Sequence, residues 1–519
     1  MHYRTGKKLA PVHWMVILWM VILFTMASCG SPPIPAPRPQ THISSPLAQN
    51  IQQQNQPLQQ VIAYPPLPGA LSSSIQLTVD GQPIFVEHYK DSNYARFAFA
   101  GRATIVIRTP QAEQYQISPH SYAIQTQKQA GALSFTLDQP RKLLLQMPNG
   151  TEKLFLFADA PETDAPNLGD PNVINISSYL TNTSGPQTAP IQRALDDASQ
   201  RKAIVYFPDG KYVSGSLTIK SDTSIYLASG ALLLSTGQIQ DTRQQFLMFN
   251  GTQNARLYGR GAIDVQGLQL RRQNDNAGRV KILRTLNAKN ITIEDLLLRD
   301  AGSWTVHLLA SDTIHVTNLK IINDMNNTNG DGIDPDGSTN ITIDGAFIYT
   351  TDDCFAVKAS GLFQTTRPTD TVLIKNAVCY DRKSALKVGT ETRHNISNVT
   401  FENNDIIHAD RALALYMEDG SVMSNIIYLN NHAEVIGGDA KQRLIDFSIS
   451  NRSGIGQIKN VQITNFTAAQ FSPNPSVITG LGSSAITVTI QNLSIAGTTR
   501  TSAASAQIQV SNAMVNFQS

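Results

Sequence analysis

From Ser74 onward the chain alternates apolar and polar residues in short runs, and a helical period interrupts only once. SIQLTV, the turn dipeptide Asp80-Gly81 and QPIFVEHY read as a β-hairpin. ARFAFA, ATIVIRT, LSFTLD, KLLLQM and KLFLFA follow, and such repeated short strands predict a small β-sandwich over residues 73–160. Residues 161–188 read as a polar linker. In PIQRALDDAS, 190–199, Ile191, Ala194, Leu195 and Ala198 share one helical face. An apolar, β-branched segment then recurs: ITIEDLLL at 291, IHVTNLKI at 314, ITIDGAFI at 341, VLIKNAVC at 372, ISNVTFEN at 396, NIIYLNN at 425 and IKNVQITN at 458. Intervals of 23 to 33 residues are roughly one coil of a β-solenoid, and their irregularity suits a β-helix better than a propeller. The predicted fold class is all-β, with a parallel β-helix over 189–519 after the sandwich.

Composition narrows this picture. At 519 residues the chain has room for more than one domain, and 15% charged residues with a net charge of +2 and no basic run give no reason to expect nucleic acid. Three cysteines exclude a disulfide scaffold, and Asn, Thr, Ser and Gln supply most of the polarity, as in extracellular β-rich proteins. Residues 1–28 have a basic start at Lys7 and Lys8, an apolar run from Trp14 to Met26 and the small pair Ala27-Ser28, which is the pattern of a secretory signal. Ala-Ser before Cys29 resembles a bacterial lipobox, although Met26 is unusual there. The likeness implies lipidation of Cys29 and anchorage on the outer face of a bacterial membrane. A plain signal with release, or an uncleaved anchor helix, are the simpler alternatives. No other segment reaches the roughly 18 apolar residues of a membrane helix. Residues 29–72, with prolines from Pro32 to Pro68 amid glutamines, read as an extended tether.

The candidate chemistry lies in NGDGIDPDGSTNITIDGAFIYTTDDCFAVKAS, residues 329–360. Asp331 sits in a Gly-Asp-Gly turn, and Asp352 and Asp353 follow 21 and 22 residues later. Residues one coil apart stack at about 4.8 Å. Three clustered carboxylates repel, so one pKa rises and an acid and a base arise from one side-chain type. DGIDPDGS (331–338), DCFAVKAS (353–360), SALKVGTE (384–391) and RALALYME (411–418) superpose without gaps. Ile333, Phe355, Leu386 and Leu413 then form one inward ladder, and Val357, Val388 and Leu415 the next. Asp334, Ala356, Lys387 and Ala414 make one outward column; Asp336, Lys358, Gly389 and Tyr416 make another. Asp331, Asp353, Ser384 and Arg411 stack at the strand starts, where a bend must present them to a cleft. The catalytic candidates are Asp331, Asp352 and Asp353. The substrate-binding candidates are Asp334, Lys358, Lys387, Glu391, Arg411 and Tyr416. A solvated face holding ion pairs such as Asp336 with Lys358 is the plainer alternative.

Other residues carry weaker signals. Glu391 and Glu418 stack at the end of the cleft strands and either bind substrate or cap the sheet. His394 and His408 read as solvent-facing or turn residues, and Trp304 as core rather than sugar platform. Phe85, Tyr89 and Tyr94 read as core or rim, and the sandwich as a spacer rather than a carbohydrate-binding module. Cys354 and Cys379, about one coil apart, are stacked thiols or a disulfide. Asn290, Asn340, Asn398, Asn425 and Asn460 recur as stacked turn residues bonding each other. No metal-ligand spacing or phosphate loop is present, so no metal and no cofactor is expected.

The helix followed by strand, Pro208-Asp209-Gly210 and strand resembles the start of a pectin-lyase-type right-handed parallel β-helix, where the helix covers the open end. NGDGIDPD and DDCFAVKAS resemble the Asn-Thr-Asp and Asp-Asp-Cys motifs of polygalacturonases, family 28 of the glycoside hydrolases, over about residues 190–470. Gly330 stands where the family has Thr. The resemblance implies an inverting hydrolase with Asp352 as acid and Asp331 and Asp353 sharing the base role. Inversion calls for carboxyl groups about 6.5–9.5 Å apart. Ser384, in Lys383-Ser384-Ala385, replaces the His of the family's Gly-His-Gly motif. Ala414-Leu415-Tyr416 replaces the Arg-Ile-Lys that holds a galacturonate carboxylate. Arg411 and Lys387 are the nearest substitutes. The expected partner is a polysaccharide, pectin-like on this resemblance, with the chain a monomer. A neutral glucan is the alternative suggested by family 49, the dextranases and isopullulanases, which also set a β-sandwich before a β-helix. A polysaccharide lyase using Ca²⁺ and a non-catalytic glycan binder share the fold as further alternatives.

Overall fold

The structure is a computed structural model that describes residues 60–148, 150, 152–181 and 185–518. The signal segment 1–28, Cys29 and the tether up to residue 59 lie outside the described residues.

The sandwich starts earlier than expected. Within the presumed tether, Gln60–Ala63 pairs antiparallel with Ser92–Ala100, and Ala70–Leu71 pairs with Val86–Tyr89. Val61 and Ala63 pack on the sandwich core, so a short apolar run amid prolines was enough to add a strand. The described sandwich has sheets of seven and five strands. Strand Lys153–Asp159 is apolar on both faces because both are covered. Leu154, Leu156 and Ala158 enter the sandwich core, while Phe155 and Phe157 turn to the solenoid.

The solenoid begins at Val173–Asn175, inside the presumed linker. Three long parallel sheets follow, with 13, 12 and 11 strands among the described residues, the strands pairing with their counterparts one coil on except Thr498–Arg500, which closes the second sheet as an antiparallel hairpin on Leu493–Ile495. The chain is thus nearly all β, a parallel β-helix behind a small β-sandwich. Helix Thr188–Arg201 buries the four residues its period selected, Ile191, Ala194, Leu195 and Ala198, against Ile174, Val205 and Leu217 at the first coil. In the first sheet Ile291, Ile314, Ile341, Val372, Val399, Ile426 and Val461 form one continuous inward ladder. At the turns, Asn425 Nδ2 donates to Asn398 Oδ1 at 2.9 Å, and Asn460 Nδ2 donates to Asn425 Oδ1 at 2.7 Å. All five predicted asparagines have φ between 52° and 57°, a left-handed conformation that Asn tolerates. Cys354 and Cys379 are free thiols buried in the solenoid core, so the disulfide alternative is not what forms.

The sandwich is joined to the solenoid by a shared apolar cluster. Tyr94, Leu144, Phe155 and Phe157 meet Leu232, Ala262, Leu297, Ile322, Phe347, Val378 and Ile407, which come from seven successive strands of the second sheet. Phe155 lies 5.3 Å from Phe347 and 4.8 Å from Tyr349, centroid to centroid. Around this patch Asp159 bonds Lys320 at 2.8 Å, and Lys90 bonds Asp300 at 3.1 Å. Tyr94 is therefore interface core, Tyr89 lies under the Arg299 guanidinium at 4.3 Å, and Phe85 stays exposed.

Candidate active site

The third sheet carries the predicted cluster. Its register is the one read from the sequence: Ile333 pairs with Phe355, Phe355 with Leu386 and Leu386 with Leu413, while Lys387 pairs with Ala414. Asp331 and Asp353 lie just before strands Ile333–Asp336 and Phe355–Ala359, where the chain bends, so strand alternation does not turn them inward. The bend is tight. A Cβ on Gly332 would come within 2.5 Å of the Cys354 carbonyl oxygen, which leaves only glycine. Buried Asn323 holds the same turn, donating to Thr305 Oγ1 at 2.8 Å, the Gly330 carbonyl at 2.9 Å and Thr350 Oγ1 at 3.0 Å. Thr350 and Thr351 fill the space beside Gly330.

One carboxylate oxygen from each of Asp331, Asp352 and Asp353 lies within 4.8 Å of the others. This is closer than the separation expected of an inverting pair. The three differ in surroundings. Asp353 accepts from Lys387 Nζ at 2.7 Å and from the Ser384 N–H at 2.9 Å. Burial pushes Asp353 up, but Lys387 outweighs it and holds the carboxyl below its usual range. Asp352, partly exposed, bonds the Asp353 N–H at 3.0 Å and no cation among the described residues. Burial, then the charges of Asp331 and Asp353, raise it to about 8. Asp331 accepts from Lys358 Nζ at 3.0 Å, yet burial leaves it above the ordinary value.

The predicted substrate-binding residues mostly serve the cluster itself. Asp334 is fully buried beneath Lys358, at 3.4 Å, and its Oδ1 has no partner among the described residues; it cannot touch a sugar. Lys358 does not join Asp336, its partner in register. It bridges Asp331 and Asp334 with its ammonium 3.4 Å from the Trp304 ring centroid. Asp336 instead accepts from Ser360 and bonds His307 Nε2 at 3.0 Å. Arg411 donates Nε to Ser384 Oγ at 2.9 Å and Nη1 to Asp410 at 2.7 Å, so it braces the residue that holds Asp353. Tyr416 is buried and donates to Asp446 at 2.7 Å, with Lys441 on its hydroxyl at 3.1 Å.

The outward column breaks after Val388. Val357 pairs with Val388, but Ala359 pairs with Thr392, because the strand carries two extra residues there. Glu391 comes within 3.9 Å of Lys358, and Glu418 pairs with Arg452 at 3.0 Å. His408 is not a solvent-facing turn residue: it stacks on Tyr380 at 4.9 Å within strand Asp405–Ala409. Trp304 is not core but half-buried at the cleft floor, T-shaped to His307 at 5.0 Å. Sequence reasoning missed Asn323, His307, Asp446 and the pair Lys281 and Arg284. The signal for that pair was two cations inside the otherwise apolar strand KILRTL.

A divalent cation would fit the three aspartates by ligand type, but Lys358 and Lys387 already supply the positive charge at Asp331 and Asp353. What remains is a carboxyl raised to about 8 beside one that Lys387 holds low, on the third sheet of a parallel β-helix. That combination is what acid/base cleavage of a glycosidic bond calls for. Residues 199–515 match the model of glycosyl hydrolases family 28, and the chain belongs to that family. A probable polygalacturonase of Vitis vinifera is 28% identical over 247 residues, covering 42% of this chain and 50% of the relative. The chain thus spans about half the length of that relative. An endo-polygalacturonase of Pectobacterium carotovorum subsp. carotovorum is 26% identical over 354 residues, covering 61% and 85%. Among solved structures, Dex49A from Penicillium minioluteum aligns with a TM-score of 0.63 over 88% of this chain and 96% of that one. At 14% identity this is a likeness of fold.

Proposed function

We propose that the protein hydrolyses glycosidic bonds of a polygalacturonate-like polysaccharide by acid/base catalysis in a single displacement. The observation carrying this reading is the gathering of Asp331, Asp352 and Asp353 within 4.8 Å, with Lys387 bonded to Asp353 at 2.7 Å and holding it low, while burial and the two neighbouring carboxylates raise Asp352 to about 8. Asp352 gives its proton to the glycosidic oxygen as the bond to the anomeric carbon breaks. A water attacks that carbon, and its proton passes to Asp353, with Asp331 as the second acceptor holding the water. A water donating to two oxygens at about 2.8 Å each spans a gap of up to roughly 5 Å. The 4.8 Å limit on this cluster therefore suits one water held between Asp331 and Asp353. The same closeness favours a second reading: retention, in which a carboxylate attacks the sugar, since retaining pairs lie about 5–5.5 Å apart. The lyase alternative is weaker because Lys358 and Lys387 are each bonded to an aspartate of the cluster.

Polygalacturonate is favoured by the names of the two relatives above, which are polygalacturonases. Export and a lipid anchor at Cys29 complete the proposal, supported by the basic start, the apolar run and Ala27-Ser28-Cys29. The test is the Asp352→Asn variant on polygalacturonate. Loss of a general acid should cost about 10²–10⁴ in rate with the fold intact. Substantial retained activity refutes the assignment, and products absorbing in the ultraviolet would make the enzyme a lyase. Proton NMR of the first anomer released separates inversion from retention.

A further inference from the structure

Two strands before that of Asp331, the cleft sheet holds cations with no acid bonded to them. Strand Lys281–Leu286 is followed by Val306–Leu309 and then Ile333–Asp336, so Lys281 lies about two strand spacings, roughly 10 Å, from the carboxylate cluster. Lys281 is 8% exposed. Among the described residues its ammonium has no hydrogen bond and no ion pair, and it rests 4.8 Å from the Trp304 ring centroid. Arg284, 5% exposed, donates one Nη1 bond to Gln245 at 3.1 Å, and its Nε is buried without a partner. Both side chains line a cavity of about 340 Å³ together with Trp304, Ser303, Asn329 and Phe363.

The cations are costly where they stand. An unpaired charge out of water is strongly disfavoured, and burial followed by the nearby Arg284 charge lowers Lys281 to about 7. Packing does not demand them, since the inward ladder of this strand is filled by Leu283, between Leu247 and Val306. Asp331 and Asp334 act on Lys281 as nearby charges without a bond, since both are bonded to Lys358. Buried cations aimed into a polar cavity beside a reaction centre are what recognition of an anionic ligand requires. Phe363, 56% exposed on the turn Leu362–Gln364, adds an apolar wall of the kind a sugar ring's C–H face can cover.

We propose that this cavity is a subsite for the carboxylate of an acidic sugar in the substrate chain, bound by Lys281 Nζ with Arg284 behind it. The inference rests on the polygalacturonate reading and says how the charge of that polymer is recognised when the Arg-Ile-Lys cations are replaced by Ala414, Leu415 and Tyr416.

The experiment uses the full chain carrying Asp352→Asn, so that ligands bind without turnover. A short oligogalacturonate and its methyl ester are titrated while tryptophan emission is followed, with Trp304→Phe as the blank. Lys281→Met should weaken the acidic ligand about 10-fold or more, as loss of a charge-assisted contact in a dry site does, and leave the ester unchanged. Lys281→Arg should restore most of the loss. Unchanged binding of the acidic ligand to Lys281→Met overturns the subsite, and so does equal weakening of acid and ester, which would make Lys281 a support of cleft shape. A parent that binds neither compound removes the polygalacturonate reading and the subsite with it. A parent that binds both, and is indifferent to Lys281→Met, removes the subsite alone.

Discussion

Lys387→Met should move the whole pH profile of kcat/KM toward alkaline values, and the acid limb should move furthest. The base must be ionised to act, so the acid limb tracks the apparent pKa of Asp353 in the free enzyme. Asp353 lies below its usual range because the Lys387 ammonium sits 2.7 Å from Oδ2 and outweighs burial. Without that cation burial is opposed by the Arg411 and Lys358 charges and the Ser384 N–H bond, and the carboxyl stays protonated to higher pH. A buried charge-assisted hydrogen bond is worth about 1.5–3 kcal/mol, or about 1–2 pH units at 1.36 kcal/mol per unit. Asp352 also feels Lys387, but only as a nearby charge without a bond, so the alkaline limb, near pH 8 in the native enzyme, rises less. The bell should become narrower as well as more alkaline. Initial rates on polygalacturonate across pH would read this, with circular dichroism melts confirming that the variant is folded. An acid limb that stays put in a folded variant, or moves to lower pH, refutes the assignment of Asp353 as the base.

Phe155→Ala removes a fully buried ring from the contact with Phe347 and Tyr349 and should cost about 3–5 kcal/mol, read as a lower urea midpoint. A loss under about 1 kcal/mol would mean that the sandwich merely rests on the solenoid. If Cys29 carries a lipid, Cys29→Ser should shift the protein from the membrane fraction to the soluble one; an unchanged distribution refutes the anchor.

The register of the cleft strands was legible because the ladder Ile333, Phe355, Leu386 and Leu413 alternates with polar neighbours, and a slip of one residue would have buried charges. The positions of Asp331, Asp352 and Asp353 followed from that register. Side-chain direction was not legible. Lys358 could be placed beside Asp336 in register, but nothing in the spacing says that its four-carbon stem turns toward Asp331 and Asp334. The break in the outward column was hidden for a different reason: two extra residues after Val388 shift the pairing of that strand with Phe355–Ala359, and a gapless alignment cannot show them. Trp304 was misread because a lone aromatic just before the largely apolar strand Val306–Leu309 looks like core, whereas its ring carries the Lys358 and Lys281 ammoniums. Lys281 and Arg284 lay outside the window in which the coils were aligned.

The aromatic seam between sandwich and solenoid has a mechanical consequence. A stack of coils held only by nearest neighbours can fray one rung at a time. Here a second body is riveted across the rungs that carry Leu232, Ala262, Leu297, Ile322, Phe347, Val378 and Ile407. Asp331, Asp353 and Lys387 belong to that riveted stretch, since strands Lys320–Ile322, Phe347–Tyr349 and Val378–Tyr380 lie in their coils. One rung beyond Ile407 Glu434 still ties the solenoid to the sandwich, accepting from Ser118 Oγ at 2.6 Å and from the His120 N–H, while farther rungs contribute nothing to the apolar seam among the described residues. A pull along the solenoid axis would strip those outer rungs singly, while the splinted ones yield together or not at all. The spacing of the carboxylates is thereby set by a beam bolted along its back as well as by the strands that bear them.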